Sequence, residues 1–344
     1  MVLNFGGDNR VETVRNVLQS YGVYPVEIES ITNRLYKITD MNHYQYALKK
    51  SQLTQETVAF WEQVLHIANE NKLPSIVPVY LTRQGNFYHE LEGQLFYLTP
   101  WFEEVDDSLV TEKLYQAIGH IHHSTKKVQP ISTESIISSF HRYKQELETV
   151  QSTHLSYVEQ FEQKRYMSPF ELLVCTQYQI LEKVFFKLNW RLEQLIVELT
   201  DTESWSVSLC HGDLCSEHVI QANQILFLNW EKAYVDNAIF DLVTFYKAKV
   251  VPYDVSVDNL IDSFVTYTKE NELQKSELFL LAIYLMDPAE YMELIQVYQE
   301  NPNVSMMEQV KHLQQANRRL VFALQFSDYV ESEYESLDLD EFES

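Results

Sequence analysis

Residues 208–246 constrain the fold of this chain more than any other stretch. A short apolar run leads into His211-Gly212-Asp213. An apolar pair follows at Val219-Ile220, and a second apolar run ends at Asn229. A segment of helical character then carries Asp241. Within residues 208–230 the pattern is strand-like, and the helical period resumes near Phe240. Any fold proposed for the chain must place these polar residues, at these spacings, between short strands and a helix.

At 344 residues the chain holds either two or three domain-sized units or one bilobal enzyme fold. Apolar residues make up 45%, enough for a sizeable core. No apolar run reaches the ~20 residues that span a bilayer. The N-terminus lacks a basic region followed by an apolar one, so no secretory signal is expected. Three cysteines, Cys175, Cys210 and Cys215, match no disulfide framework and point to a reducing compartment. The net charge of -24 repels phosphate backbones, which argues against nucleic acid and anionic membranes and leaves basic partners open. The abundant tyrosines suit half-buried packing with a wet hydroxyl.

Residues 9–21 read as an amphipathic helix stopped by Gly22. Strand-like runs follow at 26–31, 35–39 and 44–49, then a helix at 54–71 and further strands at 77–82, 87–91 and 94–99. This order suits a small α+β lobe over residues 1–100. From residue 101 to 330 the chain is mainly helical, with helices at 110–123, 133–149 and 169–199 and others beginning near 240, 257, 277, 288 and 304. Only 208–230 is clearly strand-like there. Residues 331–344 carry seven acidic and no basic residues, the composition of a solvated, poorly ordered tail.

Three motifs carry a resemblance. Ile118-Gly119-His120-Ile121-His122-His123-Ser124-Thr125 looks like the LGxLHxxT helix of the aminoglycoside phosphotransferase and choline kinase group. His211-Gly212-Asp213-Leu214 resembles its HGDLxxxN catalytic loop, and Asn229-Trp230-Glu231-Lys232-Ala233 through Asp241 resembles its IDWExA…DLA segment. The resemblance implies an α+β, bilobal protein-kinase-like fold, with a small antiparallel-sheet N-lobe and a larger helical C-lobe. Within the group, the low glycine content and the altered motifs look most like the CotS/YutH spore-coat family of endospore-forming bacteria.

The group's phosphoryl transfer depends on positioning and charge neutralisation. By resemblance, Lys49 is the strand lysine that meets phosphates; it could equally be a solvent-facing strand residue, since Lys50 adjoins it. Its carboxylate partner is expected on the 54–71 helix, with Glu62 best placed and Glu56 the alternative. Asp213 stands at the catalytic-base position and His211 behind the loop, while Asp241 is expected to be structural. The two metal-ligand positions hold His218 and Asn229 instead of Asn and Asp. Magnesium prefers oxygen ligands including carboxylates, so both changes weaken a magnesium site. The phosphate-covering loop falls at residues 31–34 and has no glycine, which hinders close approach of backbone N–H groups to phosphate. Glu231 could supply a carboxylate, although glutamate is ordinary there in the group.

Two other readings of these residues are weaker. Cys210, His211, Cys215 and His218 could be taken for a zinc site, but their spacings only graze the usual C-x2-4-C window and miss the H-x3-5-H window. His120, His122 and His123 are too close in sequence to share one helix face.

The sequence therefore leads to a kinase fold without robust kinase activity, needing no cofactor and no metal. If the family resemblance holds, the protein is made in the mother-cell cytoplasm and joins the spore coat, where its acidic surface meets basic coat proteins. The alternative is an active small-molecule phosphotransferase using ATP with magnesium or manganese at an atypical site, Asp213 acting as base. A non-nucleotide ligand in the same cleft is a third possibility.

Overall fold

The computed structural model describes residues 7–103, 110–130, 133–201, 204–300 and 304–335. The chain forms two compact units from interleaved segments. The first takes Met1–Thr125, His211–Asp213 and Glu217–Tyr234, and the second takes the remainder.

The first unit begins with α1 (Gly7–Tyr21), β1 (Pro25–Ser30), β2 (Leu35–Asp40), β3 (Gln45–Lys50), α2 (Val58–Glu70), β4 (His89–Leu91), β5 (Gln94–Pro100) and α3 (Thr111–Thr125). These five strands form one antiparallel sheet in the order β1-β2-β3-β5-β4. Because side chains alternate along a strand, one sheet face buries Ile38, Leu48, Phe96 and Leu98 beneath Val14, Val17 and Leu18 of α1. Ala47 and Lys49 point the other way and line a cavity. Gly22 ends α1 at φ +76°, with the Val23 N–H donating back to the Leu18 carbonyl.

Two expectations for this unit are corrected. Residues 77–82 form no strand; only single bridges join Ile76 to Phe227 and Tyr80 to Leu98. Pro78 lacks the N–H a ladder needs. Helix α2 starts at Val58, not residue 54, because the Thr54 and Thr57 hydroxyls bond each other's backbone in a local turn. Glu56 consequently lies outside the helix.

The second unit continues with β6 (Lys127–Pro130), α4 (Thr133–Glu162), α5 (Pro169–Asp201) and β7 (Ser204–Cys210). The chain returns to the first unit for the hairpin of β8 (Val219–Gln221) and β9 (Ile225–Phe227). It then runs through β10 (Tyr234–Asp236), α6 (Ile239–Lys249), α7 (Val257–Asp262), α8 (Phe264–Glu270), α9 (Lys275–Met286), α10 (Ala289–Glu300) and α11 (Met306–Val330). The class is α+β, with an antiparallel-sheet N-terminal region and a mainly helical C-terminal region, as the sequence implied. No helix among the described residues is long and apolar enough to cross a membrane.

Helix α4 runs past the expected end at residue 149. Its later turns bury His154, Val158 and Phe161 at helical spacing, and this packed face keeps the polar stretch helical. Strands β6 and β10 were not legible in the sequence; β6 is short, polar and exposed and is defined by pairing with β7. The first residues of the acidic tail are also ordered. Glu331–Glu335 forms a turn of π-helix, with Glu331 on Lys187 and Glu335 on Arg191. Residues 336–344 lie outside the described residues.

The core of the second unit buries one histidine without compensation. His154 of α4 is fully buried against Tyr178, Phe185 and Tyr291, and neither ring nitrogen has a hydrogen-bond partner. Burial holds it neutral and lowers its pKa from 6.5 to about 4. In this interval the unfolded chain binds the proton and the folded chain does not. Stability therefore falls as pH drops from about 6.5 to about 4, by up to about 3 kcal/mol from this group. Melting followed across this range is expected to show a shallower acid loss in His154→Phe than in the parent. Equal slopes would place the acid sensitivity elsewhere.

Candidate functional site

The first unit holds an open cavity of about 610 Å³. Its walls include Leu35 and Ala47 from the sheet, Trp61 and Leu65 from α2, and Ile220 and Leu228 from the β8–β9 hairpin and its exit. The hairpin is held by backbone bonds: Phe227 donates to the Ser75 carbonyl at 2.7 Å, and Leu228 to the His218 carbonyl at 2.8 Å. This places His218 and Asn229 at the cavity edge together with Lys49 and Arg34.

Lys49 faces the cavity, but its carboxylate partner is Glu231, not Glu62. The Lys49 ammonium lies 3.1 Å from Glu231 Oε1. Tyr97, opposite Lys49 in the β3–β5 register, donates its hydroxyl to the same oxygen at 3.0 Å, and the Gln52 N–H donates to Oε2 at 3.0 Å. The cavity-facing side of α2 presents Trp61, whose ring lies 4.9 Å from that of Tyr97, where a glutamate was expected to reach in. Glu62, one residue on, is partly exposed. Burial pushes the Lys49 ammonium's pKa down, and Glu231 offsets only part of this.

Asn229 sits in the left-handed region at φ +61°, which asparagine adopts more readily than most residues. Its Oδ1 accepts from Lys49, and its Nδ2 donates to His218 Nε2 at 2.9 Å. With Nε2 accepting, the His218 proton is on Nδ1, which donates to the Asp213 carbonyl at 2.8 Å. The two residues at which the resemblance expects metal ligands thus bond to each other, in a chain running Glu231, Lys49, Asn229, His218, Asp213.

The Asp213 carboxylate meets Lys232 at 2.8 Å. Burial raises its pKa, but the Lys232 hydrogen bond and charge outweigh this and hold it below the usual carboxylate range. His211 is buried, donates from Nε2 to the Leu228 carbonyl at 2.6 Å, accepts the Asp213 N–H at Nδ1, and packs on Trp230. It braces the loop. With these bonds made, His211 and His218 have their ring nitrogens engaged, while Cys210 is buried and donates to the carbonyls of Asp236 and Asn237. Asp241 is buried on α6 in the second unit.

Residues 31–34 close tightly on themselves. The N–H groups of Ile31 and Thr32 donate to the Leu35 carbonyl, and those of Arg34 and Leu35 to the Thr32 hydroxyl. Four amides that a phosphate cradle would need are engaged within the turn.

Magnesium does not fit this donor set. The Asn229 oxygen is already on an ammonium, which repels a divalent ion placed beside it, and His218 presents nitrogen. Lys232 and Tyr97 escaped the sequence reading, and Glu231 was weighed only as a metal ligand. Strand register would have placed Tyr97 opposite Lys49; no sequence pattern pairs Lys232 with Asp213.

Residues 26–262 match the phosphotransferase enzyme family. Among solved structures, an aminoglycoside phosphotransferase from Alicyclobacillus acidocaldarius is 16% identical, with a TM-score of 0.68 over 92% of this chain and 96% of that one. A spectinomycin phosphotransferase bound to AMP is 15% identical, with a TM-score of 0.56 over 92% of this chain and 97% of that one. A search of curated proteins found no match. At such identities the structural likeness is one of fold.

Proposed function

The chain belongs to the phosphotransferase enzyme family, and from that premise we propose that it is a kinase-fold protein without metal-dependent transfer, acting in the spore coat through protein contacts. The observation that carries the loss of transfer is Asn229, whose side-chain amide is bonded on one side to Lys49 and on the other to His218. Phosphoryl transfer needs a cation held by carboxylate at that point to offset phosphate charge. The Lys232–Asp213 pair supports the same reading, because an ion-paired, low-pKa carboxylate is a poor proton acceptor. The coat role rests on the sequence resemblance, with the net charge of -24 favouring basic coat proteins as partners. Synthesis in the mother cell and recovery in the coat fraction of mature spores are expected; recovery only from soluble cell extract would remove that role.

The test of activity is ATP turnover by the purified chain with magnesium or manganese. Turnover is expected to stay at the level of the protein-free blank. Metal-dependent turnover that disappears in Asp213→Asn would overturn the reading. The double change His218→Asn with Asn229→Asp is expected to create metal-dependent stabilisation by ATP. A second reading, an active small-molecule phosphotransferase with an atypical metal site, is favoured by the open cavity and by Lys49 facing it. The Asp213→Asn comparison separates the two.

A further inference from the structure

Two hollows in the second unit share a wall. One, of about 250 Å³, is lined by Tyr143 of α4 and by Ile283 and Asp287 at the end of α9. The other, of about 430 Å³, is lined by Ile136 of α4, Leu280 of α9, Trp205 at the start of β7, Asp236 of β10 and Phe240 of α6. Ser139, Phe140 and Tyr284 line both. No lining residue is shared with the cavity beside Lys49. We infer that the two hollows form one groove for a linear aliphatic polyamine, with one ammonium held at Asp236, another at Asp287, and the methylene chain lying on Phe140 and Tyr284.

Charge and surface both select a cation. The lining contains two carboxylates and no lysine, arginine or histidine. Each carboxylate takes its bonds on Oδ1. Asp287 accepts the Tyr143 hydroxyl at 3.2 Å and the Ala289 N–H at 3.1 Å, and Asp236 accepts the Asn237 N–H at 2.7 Å. Among the described residues neither Oδ2 has a hydrogen-bond partner, and neither group has an ion pair. Five rings line the groove: Phe140, Tyr143, Trp205, Phe240 and Tyr284. Aromatic faces attract ammonium groups and pack well against methylenes. Phe240 and Tyr284 meet edge to face with centroids 5.0 Å apart, and Tyr284 keeps 36% of its surface exposed. Burial, and then the charges of Asp236 and Asp287, push the Tyr284 hydroxyl's pKa up, so both carboxylates act on the ring common to the two hollows.

The spacing calls for two positive charges on one ligand. Ile136, Ser139, Phe140 and Tyr143 recur at helical spacing along α4, as Leu280, Tyr284 and Asp287 do along α9, so the groove follows both helices. From Leu280, beside Asp236, to Asp287 the chain rises about 10 Å at 1.5 Å per residue. A monoamine meets one carboxylate; an extended triamine reaches both. The net charge of -24 draws polycations to the whole surface, but solvent and salt weaken that attraction where no groove holds the charge.

The experiment is titration calorimetry of the full chain with spermidine, with 1-aminobutane and with a short peptide carrying two lysines, at fixed ionic strength. Spermidine is expected to bind at least ~10-fold more tightly than 1-aminobutane. Asp236→Asn and Asp287→Asn are each expected to weaken spermidine binding at least ~10-fold; asparagine keeps the Oδ1 acceptor and with it the local backbone bonds. Glu70→Gln, the same charge change at an exposed position in the first unit, is expected to leave the Kd within ~2-fold. If an asparagine variant unfolds, Ser139→Arg supplies the comparison. It puts a cation on the shared wall from an exposed helix position and is expected to abolish binding with the melting temperature kept. No spermidine binding at millimolar concentration would overturn the inference, as would equal affinities for the two amines. Equal weakening by Glu70→Gln would overturn it in favour of diffuse attraction to an acidic surface. Tighter binding of the lysine peptide than of spermidine would overturn the polyamine as occupant and assign the groove to a basic protein.

Discussion

Arg191→Ala is expected to destabilise the chain by about 3–5 kcal/mol, because it removes one partner of a buried charge network. Arg191 of α5 is fully buried. Nε donates to the Ser327 hydroxyl at 3.0 Å, Nη2 to the Ser327 carbonyl at 2.7 Å, and Nη1 to Gln194 and Glu335. The guanidinium also lies over the rings of Trp190 and Phe279, at 4.5 and 5.2 Å from their centroids. One side chain thus joins α5, α9, α11 and the turn at Glu331–Glu335. Alanine leaves a cavity and removes the ionic partner of Glu335, which keeps its bond from Gln194, while the Ser327 carbonyl keeps only the Glu331 N–H. Arg191→Met keeps much of the stem volume and is expected to cost less. Urea unfolding with an unchanged m-value measures both. A loss below about 1 kcal/mol for alanine would show that the network contributes little net stability.

Gly212→Ala carries the second large effect. Gly212 adopts φ +77°, and a Cβ there would lie 2.0 Å from the Lys232 carbonyl oxygen and 3.2 Å from the Tyr234 ring. The obstacle at 2.0 Å is backbone, so no rotamer change relieves it. The left-handed conformation adds strain for any residue with a side chain. The expected cost is about 3 kcal/mol or more, from the clash and the strain together. The shift also moves Lys232, whose ammonium holds Asp213, so the Asp213 carboxyl pKa should rise. Carboxyl titration followed by NMR measures that rise alongside the melting temperature. A stable alanine variant with an unmoved Asp213 would mean the loop relaxes without loss.

Much of the candidate site was legible as residue types at fixed spacings. The His-Gly-Asp loop and the Asn229 segment depend on short strands and tight turns that local chemistry specifies. The partner of Lys49 was not legible in the same way. Helix position alone favoured Glu62, whereas the choice between Glu62 and Glu231 depended on which group reached inside the sheet. Trp61 faces the cavity, and Tyr97 with the Gln52 N–H fixes Glu231 instead. The helix start at Val58 shows a related difficulty, because a pair of threonine hydroxyls outweighed an apolar period that looked continuous.

The sequence by itself determined the alternation that gives the sheet its two faces, the order of the motifs, and the presence of His218 and Asn229 where the resemblance expects metal ligands. These follow from covalent order and local backbone preference. Only the tertiary structure decided what these two side chains meet. Lys49 and Asn229 are 180 residues apart, and Lys232 and Asp213 are 19 apart. Hydrogen bonds over such separations depend on how strands register and loops close. That closure makes His218 and Asn229 partners of each other.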